Sequence, residues 1–213
     1  MNQSLVSIID KIYTYIQAHP NPNISLLRQK QVLQWLFDDI SFLPPIENKN
    51  KTHDESQYKI HEDNWGRAML KLRRPDLKVD KQWTGRFGEY ICEEILLLHG
   101  KTVTKPPNKN NYQPDLEDET AIWEAKTETY FTSGTAGEKI LGCPYKYADV
   151  PELYGKPLHI LCIGGAEKSC KTQYGIFEGP KSTPKKKEFL AFYEKQQITY
   201  KNATSMLKQC AGL

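Results

Sequence analysis

Two carboxylates and a lysine near the middle of the chain have the residue types and spacing for metal-assisted hydrolysis. Asp115 is followed after eight residues by Glu124, and Lys126 stands two positions later. Polar and apolar residues alternate over 121–130, which predicts a strand with Glu124 and Lys126 on one face. Asp115 precedes a polar turn on the arm before this strand, so it can reach the same face. Carboxylates bind Mg²⁺ and a neighbouring lysine can position a water molecule, which together suit phosphodiester hydrolysis.

The alternative interpretation of this triplet is an ion pair on an exposed strand. The other face of the segment carries Trp123 and Ala125, and their apolar character indicates that this face is buried. Two further acidic-x-lysine triplets occur at 47–49 and 76–78, but neither lies in an alternating strand that follows an amphipathic helix. The triplet 124–126 therefore has the sequence context of a functional site.

The first part of the chain, residues 1–79, is predicted to be a helical region. Apolar residues recur with helical spacing over 5–16, and a second helix is expected over 25–40, with Ser25 as its N-cap. The stretch 46–64 is almost entirely polar and is interpreted as a loop or linker, because it has too little apolar surface to order itself. A third helix is expected over 65–74. This region is a candidate for DNA recognition or dimerisation.

The second part, residues 80–213, is predicted to be an α+β catalytic domain with a mixed sheet flanked by helices. Its best-defined helix is expected at 80–100, where Phe87, Ile91 and Ile95 belong to the apolar stripe. Strands are expected at 101–105, 121–130, 158–163 and 174–177. Further helices are expected at 138–147, from Thr183 as N-cap through Tyr193, and after Asn202.

Composition argues against a polycation, a disulfide-linked or zinc-binding protein, and a membrane protein. The 29 basic and 26 acidic residues leave a formal charge of +3, so any contact with nucleic acid depends on local clusters and not on gross charge. The five cysteines are odd in number and include no C-x-x-C pair, which favours a reduced intracellular protein and argues against zinc. The sequence shows no signal peptide and no membrane-spanning run, so a cytoplasmic protein without a membrane partner is expected.

The sequence Pro114-Asp115, eight further residues and then Glu124-Ala125-Lys126 resembles the motif of the PD-(D/E)xK nuclease superfamily. The resemblance implies that Asp115, Glu124 and the backbone carbonyl of Ala125 bind Mg²⁺, for which Mn²⁺ can substitute. It also implies that Lys126 serves the attacking water. Many members add a glutamate from the helix before the hairpin, and Glu89 stands at that position. A solvent-facing residue without a metal role is the alternative for Glu89.

Within that superfamily, the chain is most similar to a bacterial type II restriction endonuclease. The resemblance covers residues 80–165 and implies a restriction-endonuclease-like core, with the helical region as an addition. It implies site-specific cleavage of double-stranded DNA by a homodimer in a bacterial cytoplasm. The implied restriction-modification system has its methyltransferase encoded separately, as a genetic and not a physical partner.

Several basic side chains are candidates for contacts with DNA phosphates. They are Arg67, Arg73, Arg74, Arg86, Lys139 and Lys146. For each of them a solvated surface position is the competing interpretation. Two other functions use the same sequence features: a nuclease of repair, recombination or junction cleavage, and a DNA-binding module of the same fold without catalysis. Discrete Mg²⁺-dependent fragments would indicate the restriction endonuclease, and structure-directed cutting would indicate the repair, recombination or junction nuclease. Binding without cleavage would indicate the module without catalysis.

Overall fold

The computed structural model describes residues 3–45, 51–78, 82–131 and 136–213. The strands are β1 Leu116–Glu117, β2 Ile122–Glu128, β3 Leu158–Gly164 and β4 Ile198–Asn202. The helices are α1 Gln3–Ala18, α2 Lys30–Leu36, α3 Lys51–Arg73, α4 Thr84–Leu98, α5 Ala136–Leu141, α6 Cys143–Lys146, α7 Val150–Tyr154, α8 Gly165–Ser169, α9 Pro184–Lys195 and α10 Ala203–Cys210. A π-helical segment, Cys170–Tyr174, continues α8.

In the described part of the chain, the four strands form one open sheet in the order β1-β2-β3-β4. β1 pairs with β2 in antiparallel fashion, whereas β2 pairs with β3, and β3 with β4, in parallel. The predicted α+β class, a mixed sheet flanked by helices, is confirmed. Among the described helices, none combines the length and the apolar character that crossing a bilayer requires.

Alternate residues of the two central strands enter different apolar clusters, as a strand periodicity of two requires. Trp123 and Leu161 belong to the largest cluster, which also takes residues from α1–α4 and α10. Ile122 and Ile160 belong to a second cluster on the opposite face of the sheet, together with Tyr147 and residues of α6 and α7. The predicted alternation along β2 is confirmed, and it places Glu124 on the face of the second cluster.

The largest cluster centres on the fully buried Trp35. Its ring centroid lies 5.6–5.8 Å from those of Trp65, Trp83, Phe87 and Tyr130. These rings come from α2, α3, the start of α4 and the segment after β2, so a single aromatic group joins the N-terminal helices to the sheet. Tilted and edge-to-face pairs at such distances stabilise a core beyond their buried area.

The second predicted helix is shorter than expected, and Ser25 is not its N-cap. The Ser25 N–H and hydroxyl both donate to Glu94 Oε1, and the next two backbone N–H groups donate to the same carboxylate. The helix α2 begins only at Lys30, with Gln29 at the N-cap, and ends at Leu36. The backbone at 25–27 is bound by a buried side chain of α4 instead of by its own helical turn, which competes with helix formation.

The interpretation of 46–64 as a loop or linker is wrong from residue 51 onwards, where α3 begins. Residues 46–50 lie outside the described residues. Glu62 shows why the prediction failed: its buried carboxylate accepts hydrogen bonds from Trp35 Nε1 at 2.6 Å and from the Tyr130 N–H at 3.0 Å. These long-range contacts stabilise a helix whose own apolar content is low.

The sheet also differs from prediction at both of its edges. The segment 101–105 forms only an isolated bridge, Thr104 with Glu117, instead of a strand. The segment 174–177 is not a strand: Tyr174 is the last residue of the π-helical segment, and 175–177 belong to the loop that follows it. The edge next to β3 is instead β4, for which no strand was predicted. Its alternating sequence follows α9 directly and is too short to stand out from the polar residues around it.

The last two helices begin as predicted. Thr183 is the N-cap of α9 and accepts from the Lys186 N–H, and Asn202 is the N-cap of α10 and accepts from the Ser205 N–H. The helix expected at 138–147 is present as two short helices, α5 and α6, which are interrupted at Gly142.

The contact between α4 and β2 depends on a glycine and leads to a prediction about stability. A Cβ at Gly88 would lie 1.8 Å from Thr127 Oγ1, whereas a Cβ at Gly85 on the same helix would meet nothing within 4 Å. We expect Gly88→Ala to destabilise the fold by about 1–3 kcal/mol through overpacking, and Gly85→Ala to stabilise it by up to about 1 kcal/mol. Urea unfolding of both variants measures the difference, and equal stabilities would contradict it.

Candidate active site

Asp115 lies opposite Glu124, at the point where β1 separates from β2. The pairing of Leu116 with Trp123 places Asp115 and Glu124 at the next register position. Beyond that point the Ala125 N–H has no strand partner on the β1 side, and it donates to Asp115 Oδ2 at 2.8 Å. The carboxylate therefore closes the open edge of β2 and is brought next to Glu124.

Glu124 and Lys126 are neighbours on one face of β2 and form an ion pair. Lys126 Nζ donates to Glu124 Oε1 at 2.5 Å. The Glu124 side chain is only 6% exposed, and within the described part of the chain its second oxygen, Oε2, is buried without a hydrogen-bond partner. An unpaired buried carboxylate oxygen is costly, and beside the second carboxylate of Asp115 this one is at a position where a further positive group would be stabilising.

The helix α6 covers this face and gives the site an apolar wall. Cys143 and Tyr147 are buried against Ile122 and Ile160. Burial raises the pKa of Cys143 to about 12. Burial and the nearby Glu124 charge raise the pKa of Tyr147, although its hydroxyl makes no hydrogen bond of good geometry to Glu124 Oε2. Both groups are therefore neutral near pH 7, and their low polarity strengthens the electrostatic interactions of the carboxylates.

The paired carboxylates give the site an excess of negative charge. Burial, followed by the Glu124 charge, raises the pKa of Asp115 to about 7, although the hydrogen bond from the Ala125 N–H opposes this shift. Burial lowers the pKa of Lys126, but the charge and hydrogen bond of Glu124 outweigh it, so that this pKa is raised overall. Lys126 is therefore an ammonium group at neutral pH, and it balances one carboxylate of the two.

Glu89 is placed beside this pair, on α4, and is partly buried. Burial raises its pKa, which the charges of Lys105 and Arg86 oppose and the charge of Glu124 reinforces. Among the described residues, however, no three His, Cys, Asp or Glu side chains lie close enough together to hold a metal ion. The structure thus brings Asp115, Glu124 and Lys126 together, and Glu89 is close enough for its charge to interact with theirs.

The residues present fit a divalent cation held by few protein ligands. Among the described residues Glu124 Oε2 is a buried oxygen without a partner, and burial and the Glu124 charge raise the pKa of Asp115, a shift that a bound cation would oppose. Mg²⁺ suits such a site, because it usually keeps several of its waters and binds through one or two carboxylates.

The arginines at the end of α3 are held by other side chains. Arg73 forms ion pairs at 2.6 Å with Glu93 and with the fully buried Glu94. Arg74 pairs with Asp76 at 2.6 Å. Contact with DNA would compete with these ion pairs, and for Arg73 it would remove the counter-charge of the buried Glu94 carboxylate, which is costly.

The other basic candidates differ in how accessible they are. Arg67 donates to an asparagine of its own helix at 3.0 Å. Lys146 is exposed and folds its ammonium over Tyr147, at 4.6 Å from the ring centroid. Arg86 and Lys139 are exposed, and in the described ranges neither makes an ion pair. Of these, Arg86 is the one whose charge acts on Glu89.

Lys105 is a basic residue of the site that sequence reasoning missed. It follows Thr104, whose bridge to Glu117 brings the segment beside the arm that carries Asp115. It is exposed, has no ion pair among the described residues, and its charge opposes the pKa shift of Glu89. The sequence signal was its position at the end of an expected strand, but only the bridge shows which part of the chain that strand meets.

The arrangement consists of two carboxylates converging at a strand edge, a lysine bound to one of them, and an apolar wall. No model of a known family, no curated protein and no solved structure matches this chain. The chemistry of the site is therefore argued from its own residues and geometry.

Proposed function

We propose that this chain is a Mg²⁺-dependent endonuclease that hydrolyses phosphodiester bonds in double-stranded DNA at a specific short sequence. The observation that carries the proposal is the convergence of Asp115 on Glu124, with Lys126 hydrogen-bonded to the latter. This set provides metal ligands and a cationic group within one small region, which is what hydrolysis of a phosphodiester requires.

Each residue has a distinct role in the proposed mechanism. Asp115, Glu124 through Oε2 and the carbonyl of Ala125 would hold Mg²⁺, which supplies Lewis-acid activation and a more acidic bound water. Lys126, oriented by Glu124 Oε1, donates a hydrogen bond to the attacking water or to a phosphate oxygen. The apolar wall of Cys143 and Tyr147 excludes bulk water and so strengthens these interactions.

The proposal extends to the class of enzyme. The mixed sheet, with α4 before the β1–β2 hairpin, is compatible with a restriction-endonuclease-like core, and the largest apolar cluster attaches the N-terminal helices to it. We propose a type II restriction endonuclease that acts as a homodimer, so that each of two sites cuts one strand. A separately encoded methyltransferase would protect the host DNA.

The test is incubation of the purified protein with unmethylated bacteriophage or plasmid DNA, with Mg²⁺, with Mn²⁺ and with chelator in parallel. Discrete metal-dependent fragments on a gel support a site-specific endonuclease. A smear or nicking alone supports a less specific nuclease of repair or recombination. Absence of cleavage with every metal, on DNA that the protein still binds, contradicts the enzymatic proposal.

A catalytically silent DNA-binding module is the second candidate, and one observation favours it. Asp115 already uses its Oδ2 to accept from the Ala125 N–H at 2.8 Å. In that case Asp115 has the structural role of closing the edge of β2. The module would bind DNA with strong salt dependence and would leave it intact in the same assay.

Lys105 supports DNA binding in either case and gives a prediction of its own. We expect Lys105→Ala to weaken binding of duplex DNA to a similar degree for all sequences. We also expect the slope of the logarithm of the binding constant against the logarithm of the salt concentration to decrease in magnitude by about one, as for loss of one phosphate contact. Fluorescence anisotropy with chelator over a range of KCl concentrations measures both. Lys195→Ala, at the end of α9, removes the same charge from a helix that packs on β4. Equal effects of the two substitutions would contradict a specific contact at Lys105.

A further inference from the structure

A tight turn over 109–112 ends three residues before Asp115. Lys109 and Tyr112 form a bridge with two backbone hydrogen bonds, of 3.1 and 2.9 Å. The two residues between them, Asn110 and Asn111, have φ values of 50° and 63°. Left-handed backbone at both central positions is the conformation of a type I′ turn, which projects its two central residues at the tip.

Hydrogen bonds anchor the base of this turn to α7. The Tyr154 hydroxyl donates to the Pro107 carbonyl at 2.6 Å, and the Tyr112 hydroxyl donates to Asp149 at 2.9 Å. Lys109 Nζ donates to a backbone carbonyl of α7 at 3.0 Å and lies over the Tyr154 ring. The tip is therefore presented on a fixed base, so contacts that it makes cost little ordering entropy.

The amides at the tip are available for contacts outside the protein. Asn110 and Asn111 are exposed, and in the described part of the chain their side-chain amides have no hydrogen-bond partner. The backbone itself does not require these amides, because glycine adopts left-handed conformations more readily than asparagine. Two amides, each with donor and acceptor groups, thus extend from a turn whose conformation does not depend on them.

The tip is close enough to the active site to contact neighbouring base pairs. Asn111 is four residues before Asp115, so their Cα atoms are at most about 14 Å apart. This distance corresponds to roughly four steps of duplex DNA at 3.4 Å each. A tip at this distance from the reacting phosphate lies within the length of a short recognition sequence.

We propose that the turn 108–113 reads base edges in the DNA duplex, with Asn110 and Asn111 contacting adenine-containing base pairs beside the cleaved bond. The inference rests on the proposed function and adds to it the element that selects the sequence. An asparagine amide matches the acceptor N7 and the donor N6 of adenine in the major groove. Lys105 and Arg86, whose charges both act on Glu89, suit the flanking phosphates.

The test is the double substitution Asn110→Gly with Asn111→Gly, which removes both amides and retains a turn that glycine readily adopts. The substrate is a pool of unmethylated duplexes with a randomised central segment, and the cut ends are sequenced. The matched control is Gln197→Gly, at another exposed residue with positive φ, 60°, next to β4. Circular dichroism melting of all three proteins verifies that the fold is retained.

We expect the wild-type protein and Gln197→Gly to cut with the same sequence preference. The double variant should lose preference at adenine-containing positions and cut the preferred sequence roughly 10- to 100-fold more slowly, as for loss of a bidentate base contact. An unchanged preference in the double variant, or a slower rate without a change in preference, overturns the role of the turn and leaves the proposed function standing. A wild-type protein that cuts none of the duplexes overturns the proposed function itself.

Discussion

Replacing Glu124 by glutamine is expected to lower Mg²⁺-dependent DNA cleavage by on the order of 10²–10³-fold or more, while the chain stays folded. The substitution removes the charge that the cation requires and makes its buried oxygen Oε2 an amide nitrogen. In the wild-type protein Lys126 donates to Glu124 Oε1 at 2.5 Å. The glutamine still has an acceptor oxygen at this position, so the packing of β2 is preserved. Single-turnover cleavage of plasmid DNA, together with thermal melting, measures both parts of the expectation.

Glu128→Gln is the matched control, because it makes the same change on the same face of the same strand. Glu128 accepts from the Ser169 hydroxyl at 3.2 Å, and its other oxygen is buried without a partner in the described part of the chain. Burial raises its pKa and the Ser169 hydrogen bond opposes this shift, but unlike the pKa of Asp115 it has no contribution from a second carboxylate. We expect Glu128→Gln to retain cleavage, so equal losses in the two variants would contradict a specific role for Glu124.

The central strand and its site could be predicted because local and long-range requirements agree there. Alternation over 121–130 sets which side chains share a face, and the structure follows it through β2. The same holds for Thr183 and Asn202, whose caps depend on backbone groups only three residues away. Features that a few neighbouring residues determine are accessible to sequence reasoning.

The features that could not be predicted depend on partners distant in sequence. The carboxylate of Glu94 binds the backbone at 25–27 and delays the start of the second helix to Lys30. Glu62 on α3 accepts hydrogen bonds from Trp35 and Tyr130, which lie 27 and 68 residues away in sequence. Neither partner is visible in a window of ten or fifteen residues. The contact of Asp115 with the Ala125 N–H belongs to the same class, since it exists only because β1 ends after two residues.

Replacing Asp115 by asparagine is expected to stabilise the metal-free protein at pH 8 and to remove its stabilisation by Mg²⁺. Burial and the Glu124 charge raise the pKa of Asp115 to about 7, above the ordinary value near 4 of an aspartate in an unfolded chain. Between these two values the folded state binds more protons than the unfolded state, so the free energy of unfolding falls as the pH rises. Above pH 7 the loss is complete, and it amounts to at most about 2–4 kcal/mol.

Asparagine at this position carries no charge and can still accept from the Ala125 N–H, which Asp115 now does through Oδ2 at 2.8 Å. We therefore expect urea unfolding of Asp115→Asn to show a weaker decline between pH 4 and 8 than the wild type. Mg²⁺ should raise the stability of the wild-type protein by about 1–3 kcal/mol at 10 to 100 times its dissociation constant, and should leave the variant unchanged. Asp10→Asn, at a half-exposed ion pair on α1, is the control and should respond to Mg²⁺ as the wild type does. A variant that Mg²⁺ stabilises as strongly as the wild type would show that Asp115 is not a ligand, because removal of one of two ligand carboxylates must weaken the attraction for the cation.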